Sequence, residues 1–125
     1  MAKLPSPVLD AWKKRSDPAI LATVDTEGVP NAIYVTYVRI VDDEMVIVAD
    51  NYFDKTKKNI LAGSVGSLLF ITSDKESYQL KGAIEYQTDG PLFESMKSWN
   101  GPDHPGHAAA VIRVEEAYSG ATRLL

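Results

Sequence analysis

Short β-branched segments separated by turns constrain the fold of this chain more than any other feature. About six segments have the composition or alternation of strands: 19–24, 31–41, 45–49, 67–72, 78–88 and 108–114. Most neighbours in this series are joined by short turns, such as Asp42-Asp43-Glu44, so we expect antiparallel hairpins. No glycine-rich nucleotide loop is present. The sequence therefore predicts a mainly β fold with short helices, a small antiparallel barrel rather than a parallel sheet.

Three short helices are predicted between these strands. Ser6-Pro7 is typical of a helix start, with serine as N-cap, and Asp17-Pro18 is expected to end that helix. A second helix is expected from an N-cap at Asp54 to about residue 62, with Gly63 as its C-terminal glycine. A third follows over 91–99. In a small barrel such helices close the ends and corners.

Size and composition exclude several classes of protein. With 125 residues, 45% of them hydrophobic, residues 1–125 are expected to form a single domain. No apolar run has the length needed to span a bilayer, the first residues lack the apolar region of a secretory signal, and cysteine is absent. We therefore expect a cytoplasmic protein that does not bind membranes. The net charge of −4, with acids and bases interspersed, opposes nucleic-acid binding.

The segment from Met45 to Leu61 contains the best candidate for a ligand site. A buried strand is followed by a turn and by a helix that opens with Lys55 and Thr56. The positive end of a helix dipole, a cation and a hydroxyl together suit a phosphate group. For this segment taken alone, solvated lysines on a surface helix are the favoured alternative.

A metal site is not predicted. His104 and His107 have a spacing that two metal ligands can share, and Asp103 lies beside them. They fall in a loop rich in proline and glycine, without a well-placed third ligand. A surface or interface loop is the expected role of this stretch.

Three stretches, in this order along the chain, resemble the pyridoxamine-phosphate-oxidase-like split-barrel flavoproteins, especially their smallest FMN-binding members. The first is the strand 19–24 with the turn Glu27-Gly28-Val29-Pro30 and the strand that carries Tyr34-Val35-Thr36-Tyr37. The second runs from Val46-Ile47-Val48-Ala49 through Asp54-Lys55-Thr56 to Asn59-Ile60. The third is Leu80-Lys81-Gly82-Ala83 leading to Thr88-Asp89-Gly90-Pro91, with the final strand 110–114.

The resemblance implies a six-stranded antiparallel split β-barrel with about three short flanking helices, working as a homodimer with FMN between the subunits. The residues that would border the flavin ring lie on two strands: Tyr34, Val35, Thr36, Val48, Ala49 and Asp50. The residues that would hold the phosphate lie on the second helix: Lys55, Thr56 and Asn59. Trp99 or Tyr52 of the second subunit would cover the ring.

The implied function is electron or hydride transfer by the bound flavin. No protein residue is assigned a catalytic role, and the redox partner stays unidentified. The C-terminus, Thr122-Arg123-Leu124-Leu125, offers no counterpart of the Arg-x-His element with which true pyridoxamine-phosphate oxidases hold substrate, so vitamin B6 oxidation is not expected. Two alternatives remain open: a relative that binds a deazaflavin, and a cofactor-free barrel used for ligand sensing or assembly.

Overall fold

The structure is a computed structural model that describes residues 3–125. Within these residues the helices α1, α2 and α3 span Ser6–Lys13, Lys55–Leu61 and Pro91–Trp99. The strands β1 to β8 span, in order, Arg15–Val24, Pro30–Val35, Val38–Val41, Met45–Asp50, Val65–Thr72, Ser77–Gln87, Ala108–Ser119 and Thr122–Arg123. No described helix combines the length and apolar character needed to cross a membrane.

All the strands pair antiparallel in one curled sheet of order β2-β1-β5-β6-β7-β4-β3, with β8 paired to the end of β7. The two edge strands, β2 and β3, follow each other in the chain and are separated only by Thr36 and Tyr37. The sheet must therefore curl until its edges meet at this link. β2 still pairs only with β1, and β3 only with β4, so the barrel stays open between its edges. This is the predicted split barrel.

Strand β4 is buried over its whole length because both of its faces are covered. Val46 and Val48 belong to the large cluster that fills the barrel. Met45, Ile47 and Ala49 point the other way and belong to a second cluster, which packs against α3 through Met96. This double burial explains why the strand has a continuous apolar run rather than alternation.

The helices pack where the sequence analysis expects them, although their starts differ in detail. Helix α1 buries Trp12, whose ring meets that of Phe70 edge to face at 4.9 Å. Pro5 rather than Ser6 is its N-cap residue. Asp54 does precede α2, but its carboxylate makes no capping hydrogen bond. Gly63 follows the C-cap residue with a φ of +95°, a conformation that glycine adopts without steric cost.

Two predicted boundaries are wrong. The segment 31–41, expected as one strand, is divided at Thr36-Tyr37, because its first half pairs with β1 and its second half with β4. This division and the two-residue β8 give eight strands in residues 3–125 rather than about six. Asp17-Pro18 lies inside β1, not at the end of α1. A register shift between Ser16 and Ile20 accommodates the proline, which has no N–H to donate.

Candidate functional site

Two cavities lie along β2, beside the segment that connects β4 to α2. The first, called here the aromatic cavity, has a volume of about 260 Å³ and is lined by Ile33, Tyr34, Val35, Thr36, Tyr37, Ala49, Asn51, Tyr52, Phe53 and His104. The second, called the lysine cavity, has a volume of about 410 Å³ and is lined by Asp25, Thr26, Val29, Pro30, Asn31, Lys55, Lys58, Asn59 and Ala62. Strand β2 contributes Pro30 and Asn31 to the lysine cavity and residues 33–35 to the aromatic cavity, so the two cavities lie end to end along this strand.

The aromatic cavity opens where the sheet edges separate. Five consecutive residues, 33–37, border it, so the backbone of β2 forms part of its wall. Because β2 is an edge strand, the backbone groups on its free side have no strand partner and can bond a ligand. None of the ten lining residues is Asp, Glu, Lys or Arg. The cavity thus suits a neutral, flat molecule with hydrogen-bonding groups along one edge.

Asp50 shapes this cavity without lining it. Its side chain is only 1% exposed, and one carboxylate oxygen accepts the N–H of Phe53 at 2.9 Å while the other accepts the hydroxyl of Tyr86 at 2.5 Å. Burial, followed by the hydrogen bond to Asp50, raises the pKa of Tyr86 well above its usual value. The phenol therefore remains a hydrogen-bond donor. Asp50 fixes the turn 51–53, which forms one wall of the cavity.

His104 lies in the aromatic cavity, which the sequence analysis did not anticipate. Asp50 pairs with Ala108, and this pairing brings the loop before β7 against the turn after β4. The hydroxyl of Tyr52 lies 3.0 Å from His104 Nδ1. A loop of proline, glycine and polar residues gives no sign of this contact. Knowing that β4 pairs with β7 would have revealed it.

The lysine cavity contains one cation that is not paired with an acid. Lys58 is held 3.7 Å from the Asp54 carboxylate. One oxygen of the Asp25 carboxylate, Oδ1, accepts the N–H groups of Glu27 and Val29 at 2.9 and 2.8 Å, so this side chain is held by its own turn. Lys55 is exposed and has no ion-pair partner within residues 3–125. Its ammonium group is the one that an anionic ligand in this cavity can use.

Beneath α2, four polar side chains form a buried cluster: Thr23, Asn31, Thr56 and Asn59. Asn31 donates to the hydroxyls of Thr56 at 2.9 Å and Thr23 at 3.3 Å, and Asn59 donates to Thr23 at 3.0 Å. Thr56, predicted to hold phosphate, is 1% exposed and bonded within the protein. Asn59 shares this cluster and also lines the lysine cavity with Lys55. The cluster anchors α2 to β1 and β2 and so positions Lys55.

The comparisons with known proteins agree with this geometry. A protein-family model described as pyridoxamine 5'-phosphate oxidase matches residues 6–119. The chain belongs to this family. The match covers most of the chain, and it confirms the resemblance drawn from the three sequence stretches.

Two individual proteins are also similar to this chain. An uncharacterized protein from Methanocaldococcus jannaschii is 33% identical over 104 residues, which cover 79% of this chain and 70% of that protein. HupZ of Group A Streptococcus is 25% identical, with a TM-score of 0.84 and 98% of both chains covered.

Two further solved structures share the fold at lower identity. An FMN-binding protein from Syntrophomonas wolfei is 20% identical, with a TM-score of 0.68 over 81% of this chain and 75% of that one. A protein described as F420 reductase is 19% identical, with a TM-score of 0.65 over 84% of this chain and 91% of that one.

Two of the remaining predicted site residues, Val48 and Trp99, line neither cavity. Val48 is fully buried in the barrel interior. Trp99 is half-buried against the second core cluster, with the guanidinium of Arg39 5.3 Å from the centre of its ring. Tyr52, the other predicted ring cover, does line the aromatic cavity of its own chain. Within residues 3–125, His, Cys, Asp and Glu form no group of three that could hold a metal ion.

Proposed function

We propose that this protein binds FMN and transfers electrons or hydride as a homodimer. The observation that carries the proposal is the placement of two chemically different cavities end to end along β2. FMN has the same division, with a flat conjugated ring at one end and a phosphate at the other.

The aromatic cavity fits the ring end of FMN. Tyr34, Val35, Thr36 and Ala49, four of the residues predicted beside the ring, line it. Its walls are neutral, and the free edge of β2 offers backbone donors and acceptors to the polar edge of the ring. Desolvating the neutral ring there leaves no protein charge unpaired.

The lysine cavity fits the phosphate end. Asn31 lines the lysine cavity and Tyr34 the aromatic cavity, and three residues of extended strand span about 10 Å. The five-carbon ribityl chain of FMN is suited to bridge this separation. The ammonium group of Lys55, with no ion-pair partner among the described residues, then forms a charge-assisted hydrogen bond with the phosphate.

In this proposal, bound FMN supplies the redox chemistry, because flavin carries hydride and electron transfer in its own ring system. The protein binds and orients the cofactor. Strand β2 and the turn 51–53 hold the ring between them, and Lys55 fixes the opposite end. A second candidate, binding of a deazaflavin, is favoured by the shared fold with the protein described as F420 reductase.

A second copy of the chain completes the proposed site. Pockets that bury most of a small ligand usually have volumes of roughly 300–1,000 Å³, and the aromatic cavity of one chain has about 260 Å³. The outer face of β2, β1 and β5 carries a row of apolar residues in register, Tyr34 opposite Ile20 and Ile20 opposite Leu69. Tyr34 is 74% and Leu69 39% exposed. A face of this kind next to an incomplete cavity suits a symmetric interface.

The test of the proposed function is cofactor uptake. Protein stripped of small molecules is titrated with FMN and, separately, with a deazaflavin, and bound cofactor is measured by absorbance after gel filtration. We expect FMN to be retained at one per chain. Retention of the deazaflavin alone would replace FMN in the proposal, and retention of neither would overturn it.

The dimer has its own test. Leu69→Asp places a charge on the apolar outer face and is expected to convert the dimer to monomer in analytical ultracentrifugation. Leu61→Asp is the control, because Leu61 is also exposed but lies on α2, outside the sheet. A monomeric wild-type protein that binds FMN tightly would contradict this part of the proposal.

A further inference from the structure

We propose that His104 and Tyr52 form a proton relay that serves a neutral carbonyl or quinone acceptor bound against the flavin ring at the opening of the aromatic cavity. The inference rests on the proposed function, since the reduced flavin is the hydride donor. It adds a substrate class and an acid–base residue to a site that otherwise binds and orients.

The first observation is how firmly His104 is placed. Its Nδ1 lies 3.0 Å from the hydroxyl of Tyr52, and its ring centre lies 5.1 Å from that of Tyr37. Gly101 makes room for this packing, because a Cβ there would come within 2.5 Å of the Tyr37 hydroxyl and 2.8 Å of His104 Cδ2. The imidazole is thus held between two phenols at the cavity wall.

The loop that carries His104 is itself fastened to the turn opposite. Asn51 and Asn100 exchange two amide hydrogen bonds of 2.9 and 2.8 Å. The N–H of Gly106 donates to the same Asn51 oxygen at 2.9 Å. Lys97 donates to the carbonyl of Pro105 at 3.0 Å. These bonds fix the loop before and after His104 and so hold its imidazole at the wall of the cavity.

The second observation is the charge of the cavity. Among the ten lining residues, only His104 has a side chain that ordinarily titrates near neutral pH. The titratable groups that face it are the phenols of Tyr37, from the β2–β3 link, and Tyr52, from the β4–α2 segment. Its own loop adds the exposed Asp103 beside it. Since the lining has no fixed charge, an acceptor that stacks at the opening of this cavity is expected to be neutral.

The third observation is a path for protons. Tyr52 is 72% exposed whereas His104 is half-buried, so the pair links solvent to the cavity. A hydroxyl donates and accepts at once, so Tyr52 can pass a proton to Nδ1 of the neutral imidazole while Nε2 gives one up. With reduced flavin bound, the cofactor would supply hydride, with its two electrons, to the acceptor, and Nε2 of His104 would supply the proton that completes the alcohol or hydroquinone. Tyr52 would pass its hydroxyl proton to Nδ1 and take one from water, so that His104 stays neutral and the proton comes from solvent.

The test compares His104→Gln and Tyr52→Phe with a matched control, His107→Gln. His107 is exposed and lines neither cavity. FMN affinity is measured first for all four proteins. Bound FMN is then reduced by light without oxygen, with EDTA as the electron donor, and mixed with a neutral benzoquinone from about pH 5 to about pH 8, and the rate of flavin reoxidation is recorded.

Wild type and His107→Gln are expected to slow as pH rises, with an inflection in the range where imidazoles ordinarily lose their charge, because the charged ring is the stronger proton donor. His104→Gln is expected to be about 100-fold slower at low pH, the size typical of lost general-acid catalysis, to lack the inflection, and to be accelerated by added imidazole. Tyr52→Phe is expected to keep the inflection at a lower rate.

In the cofactor-free protein, ¹⁵N NMR is expected to show that Tyr52→Phe changes the tautomer balance of His104 but not of His107.

The outcomes separate this inference from the proposed function. A wild-type chain that takes up no FMN overturns the proposed function, and the relay falls with it. Variants that bind FMN like wild type and show its pH profile overturn the relay alone. An unchanged His104 tautomer balance in Tyr52→Phe also overturns the relay, without any reference to activity.

Discussion

The aromatic cavity and the lysine cavity share strand β2, yet their chemistry is opposite. The first has neutral walls and is lined by four aromatic side chains and one imidazole. The second has an exposed lysine with no ion-pair partner in the described residues, and a buried polar cluster beneath it. Ring recognition and phosphate recognition are therefore carried by separate residues. Each can therefore be removed without the other.

The largest expected effect comes from Asp50→Ala, which removes the support of the aromatic cavity. The change leaves the Tyr86 hydroxyl and the Phe53 N–H without their acceptor, and we expect it to lower the free energy of unfolding by about 3 kcal/mol. Urea unfolding measures this loss. Asp54→Ala is the matched control, since Asp54 is exposed and makes only a surface ion pair, and it should change stability by less than about 0.5 kcal/mol. Equal effects of the two variants would show that Asp50 does not support the turn.

The next effect separates the two cavities directly. Lys55→Ala is expected to weaken FMN binding by about 10- to 100-fold, the range for a lost charge-assisted hydrogen bond, and to leave riboflavin binding unchanged. Quenching of flavin fluorescence measures both affinities. Lys58→Ala serves as control, because Lys58 lines the same cavity but is paired with Asp54, and its effect on FMN should be much smaller. A matching loss of riboflavin affinity would remove Lys55 from the phosphate site.

A smaller effect on cofactor affinity is expected from a change in the aromatic cavity. Thr36 is exposed and lines the aromatic cavity, so Thr36→Tyr fills space there with little change in stability. We expect FMN and riboflavin to lose the same affinity, about tenfold or less, corresponding to about 1.4 kcal/mol. The same fluorescence titrations give the result. Weaker FMN binding with unchanged riboflavin binding would mean that the ring does not occupy this cavity.

Much of the fold could be predicted because its signals are local. The continuous apolar run Met45–Ala49 predicted a buried strand, and Gly63 marked the end of α2 at a position that requires a positive φ. The division at Thr36-Tyr37 could not be predicted, because β-branched and aromatic residues continue through it. It arises only from the meeting of the two sheet edges, which is a tertiary event.

Only part of the site could be predicted, because the rest also depends on tertiary contacts that local sequence does not reveal. Tyr34 lines the aromatic cavity and Lys55 the lysine cavity, and their contacts with a flavin stay predictions. Asp50 and Thr56 have polar side chains that the sequence offered to a ligand, but the folded chain buries both in internal hydrogen bonds. His104 reaches the aromatic cavity through the pairing of Asp50 with Ala108, which are far apart in the sequence.

The most direct test of two separate cavities for one cofactor is a side-by-side titration of the cofactor-free wild-type chain with riboflavin and FMN. The account predicts that both bind, because both present the ring to the aromatic cavity, and that FMN binds at least about tenfold more tightly, because only FMN reaches Lys55 with a charge. Equal affinities for the two, or binding of neither, would contradict it.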